Sequence, residues 1–158
     1  ENWLTFFRTL RGNGESRPIH LIGDKNEAIH NNTQFAMLNL VDCMGQLSLT
    51  DLVKKIQQAD LLLGLDSGPM HLAAALSTPT FTIWGATDPR LYGYSRLSND
   101  HSIIKANPLD FAISYQNDHG LTYEKGYFDK HINCIESLTA DEAFEAFTKW
   151  QKPITREI

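Results

Sequence analysis

Short apolar segments alternate with amphipathic helical patterns along most of this 158-residue chain, and this alternation constrains its fold more than any other feature. Uninterrupted apolar segments of this length are too short to be helices and fit the strands of a parallel sheet. We predict such strands at about residues 18–23, 40–44, 61–65, 80–84 and 102–105. The strand at 61–65 is expected to be buried on both faces, and the strand at 80–84 is expected to be buried as well. Strands that alternate with helices over short connections predict an α/β fold with a doubly wound parallel sheet.

The helices are marked by apolar residues at i, i+3 and i+4 and by recognisable ends. Two helix starts carry capping boxes, Ser48 with Asp51 and Thr139 with Glu142. The last helix is expected to end before Pro153. The predicted helices cover about residues 3–11, 26–38, 49–59, 69–76 and 140–152. Residues 107–133 show no sustained period and are predicted to form a long irregular connection.

Charge and composition exclude two classes of partner. The chain has 14 Lys and Arg against 19 Asp and Glu, a formal net charge of −5, so a basic surface for DNA or RNA is not expected. No apolar segment approaches the ~20 residues of a membrane helix, and the chain does not open on a signal segment. Cys43 and Cys134 form no metal or redox motif, so we expect two reduced, buried thiols in a cytoplasmic protein.

Residues 64–76 carry the clearest chemistry, because an apolar strand leads directly into a helix through Asp66, Ser67, Gly68 and Pro69. Pro69 suits the first helical position, and the helix start leaves backbone N–H groups without helical partners. With the positive end of the helix dipole, these groups and the Ser67 hydroxyl could hold a phosphate or diphosphate, and His71 could add a donor. The same residues are also good capping chemistry for any strand-to-helix turn. The position at the carboxyl end of a strand favours a ligand site.

The sequence from Asp66 to Pro79, followed by that from Trp84 to Pro89, closely resembles the C-terminal lobe of bacterial family 9 glycosyltransferases. These are the heptosyltransferases of lipopolysaccharide core assembly. The likeness continues at residues 23–27, 45–49 and 134–136. Ser77 and Ala86 stand where the family usually has Gly and Pro, and residues 92–99 lack its usual Gly and Pro spacing.

The resemblance implies a GT-B architecture, in which two Rossmann-like lobes face a cleft. Residues 1–152 would form the lobe that binds the nucleotide-sugar donor, and residues 153–158 a tail. The N-terminal acceptor lobe and the first strand of the donor lobe would lie outside this sequence. The catalytic base of relatives is an aspartate of the other lobe, so no catalytic residue is expected here. The reaction would be inverting and metal-independent, and neither a metal ion nor another cofactor is expected.

The resemblance also implies a set of donor-binding residues, each with suitable chemistry. A carboxylate can accept hydrogen bonds from both ribose hydroxyls, which suits Glu27, and an apolar side chain can pack on adenine, which suits Leu47. Their alternatives are a solvated glutamate at a helix start and a leucine that merely packs in the core. The residues implied at the diphosphate and the sugar are Asp66, Ser67, Gly68, His71, Thr87 and Asp88. Thr87 and Asp88 could equally belong to a plain loop turn.

The implied function is transfer of a heptose or related sugar from an ADP-sugar to a glycolipid acceptor of the lipopolysaccharide core type. The expected location is the cytoplasm, with peripheral contact to the inner membrane through the acceptor. Two alternatives remain open: a nucleotide-binding module without catalysis, and a sugar-nucleotide epimerase of similar architecture. An epimerase would be expected to place more carboxylates and histidines around the sugar than Glu27 and His71 provide.

The strand order of such a sheet gives a further expectation. Such sheets have the strand order 3-2-1-4-5-6. The five predicted strands would be, in chain order, the second to the sixth strand of that sheet. The absent first strand would lie between the strand at Ile19 and the strand at Leu61, and its absence would divide the sheet. We therefore expect a strand supplied from outside these 158 residues, or a rearrangement that pairs those two strands directly.

Overall fold

The computed structural model describes residues 2–27, 33–85, 89–105 and 138–150. The predicted connection at 107–133, Cys134 and Pro153 lie outside these residues. Contacts along the backbone divide the chain into two compact units, Glu1–Lys55 and Ile56–Ile158, and each is described by itself.

The first unit contains a two-stranded parallel sheet. Ile19 pairs with Leu40 and Leu21 with Asp42. The predicted helix at 26–38 is a 3-10 turn at Lys25–Glu27 followed, after residues outside the described set, by a short α-helix. The elements are α1 (Asn2–Gly12), β1 (Ile19–Leu21), the 3-10 turn (Lys25–Glu27), α2 (Thr33–Met37), β2 (Leu40–Asp42) and α3 (Leu49–Gln58), which contains the boundary between the units.

Helix α1 forms because its apolar residues share one face, as the sequence predicts. Phe6, Phe7 and Leu10 are buried, and Trp3 stacks on Phe7 with ring centroids 5.8 Å apart. At the end of the helix, the Arg11 Nε donates to the Leu38 carbonyl over 2.8 Å. This guanidinium therefore ties the end of α1 to the chain that enters β2.

The second unit contains a three-stranded parallel sheet in the order β3-β4-β5. Leu62 pairs with Thr80, and Thr80 pairs in turn with His101. The one-turn helix α5 was not predicted from the sequence. The elements are β3 (Leu62–Leu65), α4 (Gly68–Ala75), β4 (Thr80–Trp84), α5 (Pro89–Tyr92), β5 (His101–Lys105) and α6 (Ala140–Trp150).

All described strands are parallel and alternate with helices, which confirms the predicted α/β class. The strands form two separate sheets, β1-β2 and β3-β4-β5, and the neighbours within each are those of the predicted order. No described residue pairs β1 with β3, so the direct rearrangement is not observed. The assignment of residues 1–152 as one donor lobe without its first strand stays a prediction.

Strand β4 is the centre of the second unit. All five of its residues are buried, as predicted, because β3 and β5 flank it on both sides. The prediction that β3 is also buried on both faces is wrong. Its first three residues are half-buried and Leu65 is 37% exposed. An edge strand has a neighbour on one side only, so its side chains are less completely covered.

Both predicted capping boxes are present. The Asp51 N–H donates to Ser48 Oγ over 3.2 Å, and the Ser48 hydroxyl donates back to Asp51 Oδ2 over 2.6 Å. At the start of α6, the Thr139 N–H donates to Glu142 Oε2 over 2.9 Å. The hydrogen bonds from the Thr139 N–H and from the Thr139 hydroxyl lower the pKa of the Glu142 carboxyl. Each pair satisfies a backbone donor that a helix start leaves without a helical partner.

Helix α6 packs on the sheet through aromatic residues. Phe81 and Phe147 meet edge to face with ring centroids 5.3 Å apart. Trp150 lies 6.0 Å from Phe81, and its Nε1 donates to the Asn99 carbonyl over 3.2 Å. These contacts fix the C-terminal helix against β4 and the loop before β5.

Helix α4 ends in a Schellman motif. The Ser77 N–H donates to the Ala74 carbonyl over 3.1 Å, and the Thr78 N–H donates to the Ala73 carbonyl over 2.9 Å. Ser77 has φ +58°, the left-handed region that favours glycine. The Ser at this position, where the resemblance expects Gly, therefore carries backbone strain.

Cys43 differs from its prediction. It is a free thiol but is half-buried rather than buried, directly after β2. Its Sγ lies 3.9 Å from Nδ1 of His20, a side chain on the neighbouring strand. Among the described helices, none has the length and apolar character needed to cross a membrane.

Candidate functional site

The turn between β3 and α4 is held in place by a hydrogen bond to β4 and by the packing of α4 on β3. The Asp66 N–H donates to the Ile83 carbonyl over 3.1 Å, which continues the pairing of β3 with β4. Gly64 has no side chain, and a Cβ there would lie 2.9 Å from Met70 Sδ. Met70 is buried at 1% exposure, so the missing side chain lets the first turn of α4 pack closely on its strand.

The helix start is open to solvent. Ser67 is the N-cap residue, with extended backbone, and its carbonyl accepts from the Met70 N–H over 3.0 Å. Its hydroxyl makes no capping hydrogen bond. A Cβ at Gly68 would meet nothing within 4 Å. Helix α4 begins at Gly68, so Pro69 is its second residue. The sequence predicted Pro69 as the first residue of the helix.

Two backbone donors remain available at this turn. Within the described ranges, no hydrogen bond is found from the N–H of Ser67 or of Gly68. Both residues are exposed. The turn therefore presents two N–H groups and one hydroxyl at the positive end of a helix dipole.

Asp66 and His71 lie together beside these donors. His71 Nε2 donates to Asp66 Oδ1 over 3.0 Å, and the side chains are 44% and 20% exposed respectively. Since a carboxylate can only accept, this bond assigns the proton to Nε2. The structure thus brings Asp66, Ser67, Gly68 and His71 to one turn at the carboxyl end of β3.

Two aromatic residues behind His71 were not predicted as part of the site. Tyr94 meets the imidazole edge to face with centroids 5.3 Å apart, and Trp84 does so at 6.2 Å. The Tyr94 hydroxyl lies 2.5 Å from Thr82 Oγ1, and both residues are buried. Trp84 stood at the end of a predicted strand, but no sequence signal pointed to Tyr94. The ring of His71 is therefore backed by a packed aromatic wall.

Burial raises the pKa of Tyr94 above its usual value, and the negative charge of Asp66 raises it further. Hydrogen bonds with the Thr82 and Thr80 hydroxyls act in the opposite direction. The phenol therefore stays protonated at neutral pH, and the wall behind His71 carries no charge.

Glu27 and Leu47 belong to the first unit, in two loops that touch. The Gly45 N–H donates to the Gly23 carbonyl over 2.9 Å. Gly45 has φ +64°, and a Cβ there would lie 2.5 Å from Lys25 Cβ. Glu27 ends the 3-10 turn after β1, and Leu47 is half-buried between β2 and α3.

Thr87 and Asp88, the remaining predicted site residues, lie outside the described residues. The described part of the chain contains no group of three or more His, Cys, Asp or Glu side chains that could hold a metal ion.

The fold and the turn define an α/β protein with an open helix start at the carboxyl edge of a parallel sheet. Two solved structures share this fold. The chain is 22% identical to E. coli ADP-heptose lps heptosyltransferase II, with a TM-score of 0.62 over 94% of this chain and 40% of the other. A glycosyl transferase of family 9 from Veillonella parvula gives 15% identity and a TM-score of 0.65, over 95% and 40% of the two chains. The predicted Rossmann-like lobe of GT-B type is therefore confirmed as the fold class.

The family model for glycosyltransferase family 9 (heptosyltransferase) matches residues 16–114, and the chain belongs to this family. Lipopolysaccharide heptosyltransferase 1 of Campylobacter coli is 45% identical over 47 residues, which are 30% of this chain and 14% of that protein. The enzyme of the same name from Salmonella typhimurium is 38% identical over 53 residues, or 34% and 17% of the two chains. The chain spans about two fifths of the solved structures that it matches.

Proposed function

We propose that this chain is the donor-binding part of a glycosyltransferase that moves a heptose or a related sugar from an ADP-sugar to a lipopolysaccharide core-type acceptor. The observation that carries the proposal is the open turn at the carboxyl edge of the sheet, where the N–H groups of Ser67 and Gly68 have no hydrogen-bond partner among the described residues. The names of the family and of its relatives support the choice of sugar and acceptor.

In the proposed mechanism the turn binds the donor diphosphate. The N–H groups of Ser67 and Gly68 and the Ser67 hydroxyl donate to phosphate oxygens at the start of α4. When the bond between the sugar and the diphosphate breaks, negative charge grows on the departing phosphate. Fixed donors and the helix dipole stabilise that charge, and this electrostatic term can supply a large part of the rate.

His71 adds a further hydrogen-bond donor to the site, and Asp66 orients its ring. A protonated imidazole donates from both ring nitrogens, so Asp66 can keep Nε2 while Nδ1 is left for a ligand oxygen. The aromatic wall of Tyr94 and Trp84 limits the rotation of the ring. Asp66 thus orients His71 beside an anionic ligand.

The remaining assignments are part of the same proposal. Glu27 accepts hydrogen bonds from the ribose hydroxyls, Leu47 packs on the adenine, and Thr87 and Asp88 border the sugar. The base that activates the acceptor hydroxyl comes from outside this chain, and transfer inverts the anomeric centre without a metal ion. The protein acts in the cytoplasm and meets the inner membrane through its glycolipid acceptor.

Calorimetric titration of the full-length protein with ADP tests this proposal. Replacing Ser67→Ala together with His71→Ala is expected to weaken ADP binding about tenfold or more for each lost contact, since charge-assisted hydrogen bonds contribute roughly 1.5 to 3 kcal/mol. The matched control is Ser16→Ala with His20→Ala, which removes the same side-chain types from exposed positions elsewhere. A double variant at the turn that titrates like the wild type would refute the diphosphate site.

The choice of nucleotide is tested separately by comparing ADP with UDP. Leu47→Asp should weaken ADP binding, because a charged side chain is a poor surface for a flat base, and should reduce the preference for ADP over UDP. Equal affinity of the wild type for both nucleotides would remove the adenine assignment while leaving the diphosphate site.

A further inference from the structure

A buried histidine lies on the sheet of the second unit, at a distance from the turn at residues 66–71. His101 begins β5 and pairs with Thr80, the first residue of β4. The turn follows Leu65, which pairs with Ile83 three residues farther along β4, roughly 10 Å away. His101 is 6% exposed, so its imidazole is not placed to contact a ligand directly. An effect of His101 on the turn must therefore pass through another side chain.

The ring of Tyr94 links His101 to the turn. It meets the His101 imidazole edge to face with centroids 5.5 Å apart, and it meets the His71 imidazole edge to face at 5.3 Å. Among the described residues, no direct ring contact joins the two imidazoles. Tyr94 is 4% exposed, so both contacts are made inside a packed core, where rings have little room to turn.

Hydrogen bonds from β4 hold both buried rings in place. Thr80 Oγ1 lies 3.1 Å from His101 Nδ1, and Thr82 Oγ1 lies 2.5 Å from the Tyr94 hydroxyl. Thr80 and Thr82 are two residues apart on one strand, so their side chains lie on the same face of the sheet. Both are fully buried. A buried hydroxyl without a partner costs free energy, so the hydrogen bonds favour one position of each ring.

This polar set is confined to one face of β4. On the opposite face, Phe81 packs on Phe147 of α6 through apolar contact alone. Packing by itself does not require threonine, because valine has nearly the same shape. A polar network with satisfied hydrogen bonds restricts the ways in which a core can pack. The restricted face is the one that carries Tyr94 and leads to His71.

We propose that His101 is a positioning residue for the turn at residues 66–71. Its imidazole, oriented by Thr80, holds the Tyr94 ring in place. The Tyr94 ring in turn keeps the His71 ring from rotating. The ring of His101 carries the effect, because it is the ring that contacts Tyr94. The consequence for ADP rests on the proposed function, since it assumes that the turn binds the donor diphosphate.

The first test follows the His71 ring nitrogens by long-range ¹H–¹⁵N correlation spectroscopy of the full-length protein without ADP. The wild type should show a protonated Nε2, the nitrogen that donates to Asp66. His101→Asn should shift the Nε2 signal toward the average of two exchanging tautomers, because an amide can still bond to Thr80 but offers Tyr94 no ring. Unchanged His71 signals in His101→Asn would overturn the inference, as would a tautomer average in the wild type.

The second test separates the ring contact from stability by calorimetry with ADP and urea unfolding. His101→Phe keeps a ring against Tyr94 but loses the bond to Thr80, so ADP affinity should stay within about twofold of the wild type. His101→Asn should weaken ADP binding about fivefold. Thr78→Val is the matched control, because it removes another buried hydroxyl, which donates to the Ile56 carbonyl over 2.9 Å. It should lower the urea midpoint and leave ADP affinity unchanged.

Two outcomes of the second test would overturn the inference. One is equal ADP affinity of the wild type and His101→Asn. The other is an ADP affinity that follows stability across all three variants, since His101 would then have a structural role only.

A double variant shows whether His101 acts through His71. In a His71→Ala background, His101→Asn should weaken ADP binding no further. A second loss of about fivefold in that background would mean that His101 acts elsewhere, and would contradict the inference. Failure of the wild type to bind ADP would contradict the proposed function, and the ring signals of His71 would then decide the positioning independently.

Discussion

Ser77 has a backbone conformation that favours glycine and not a residue with a side chain. Its φ of +58° lies in the left-handed region, which costs roughly 1–2 kcal/mol for a residue with a side chain. Ser77→Gly should therefore stabilise the protein by about 0.5–1 kcal/mol, because the freer unfolded chain of glycine offsets part of the gain. Urea unfolding measures the difference. Ser77→Ala keeps the strain and serves as the control, and a glycine variant less stable than it would contradict the prediction.

His101 gives the protein a pH dependence at the residue scale. Burial lowers the pKa of this imidazole, while the charge of Asp100 raises it, and Nδ1 lies 3.1 Å from Thr80 Oγ1. Below about pH 6.5 the unfolded chain takes up a proton that the folded protein does not. Stability should therefore fall as the pH drops from about 7.5 to about 5.5. This loss of stability should be smaller in His101→Gln than in the wild type.

Urea midpoints at the two pH values measure that effect. His20→Gln is the control, because its pKa is also lowered, by burial and by the charge of Lys55, but its side chain is exposed. His101→Gln is expected to reduce the change of stability between the two pH values more than His20→Gln does. An identical pH dependence of wild type and His101→Gln would rule out this origin.

At the scale of elements, the two loops that carry Glu27 and Leu47 depend on Gly45. A Cβ at Gly45 would lie 2.5 Å from Lys25 Cβ and 2.7 Å from its Cα, so the loops would have to separate. Gly45→Ala should destabilise the protein by roughly 2–4 kcal/mol, as the sum of overpacking and left-handed strain. Gly14→Ala is the matched control, since Gly14 also has positive φ but meets nothing within 4 Å. Equal losses of stability in the two variants would contradict the contact.

The wall behind His71 joins β4 to the loop after α5. Tyr94→Phe removes the hydrogen bond to Thr82 but keeps the ring, so it should cost about 1 kcal/mol of stability and leave ADP affinity within about twofold. Tyr94→Ala removes the ring and should weaken ADP binding several-fold, because His71 then loses its packing partner. Calorimetry with ADP and urea unfolding separate the two effects. Full ADP affinity in Tyr94→Ala would show that the wall does not position His71.

At the scale of the whole molecule, the two sheets differ in how well they are protected. Strand β4 is buried throughout and has partners on both sides. Strands β1 and β2 have three residues each and, among the residues that the structure describes, pair only with each other. Hydrogen exchange should therefore be at least about tenfold slower at residues 80–84 than at residues 19–21. Mass spectrometry of peptides from the full-length protein measures both. Equal protection would mean that β1 and β2 gain support from outside their own ladder.

The sequence alone determined the strands, most of the helices and the turn at residues 66–71 of this protein. Apolar segments, capping boxes and the sequence from Asp66 to His71 are local signals, and each depends on residues within one or two turns of the chain. That is why the strands, the caps at Ser48 and Thr139 and the α/β class follow from the residues themselves. Even the neighbours within each sheet follow, because doubly wound sheets have few allowed orders.

Only the tertiary structure decided which side chains meet across the sheet. Tyr94 reaches His71, and Arg90 and Arg96 share a pocket with Lys105, because β3, β4 and β5 pair in register and bring distant loops to one edge. The half-exposure of β3 likewise depends on its place at that sheet's edge. Such contacts join residues that are far apart in the chain, so no local period or spacing encodes them.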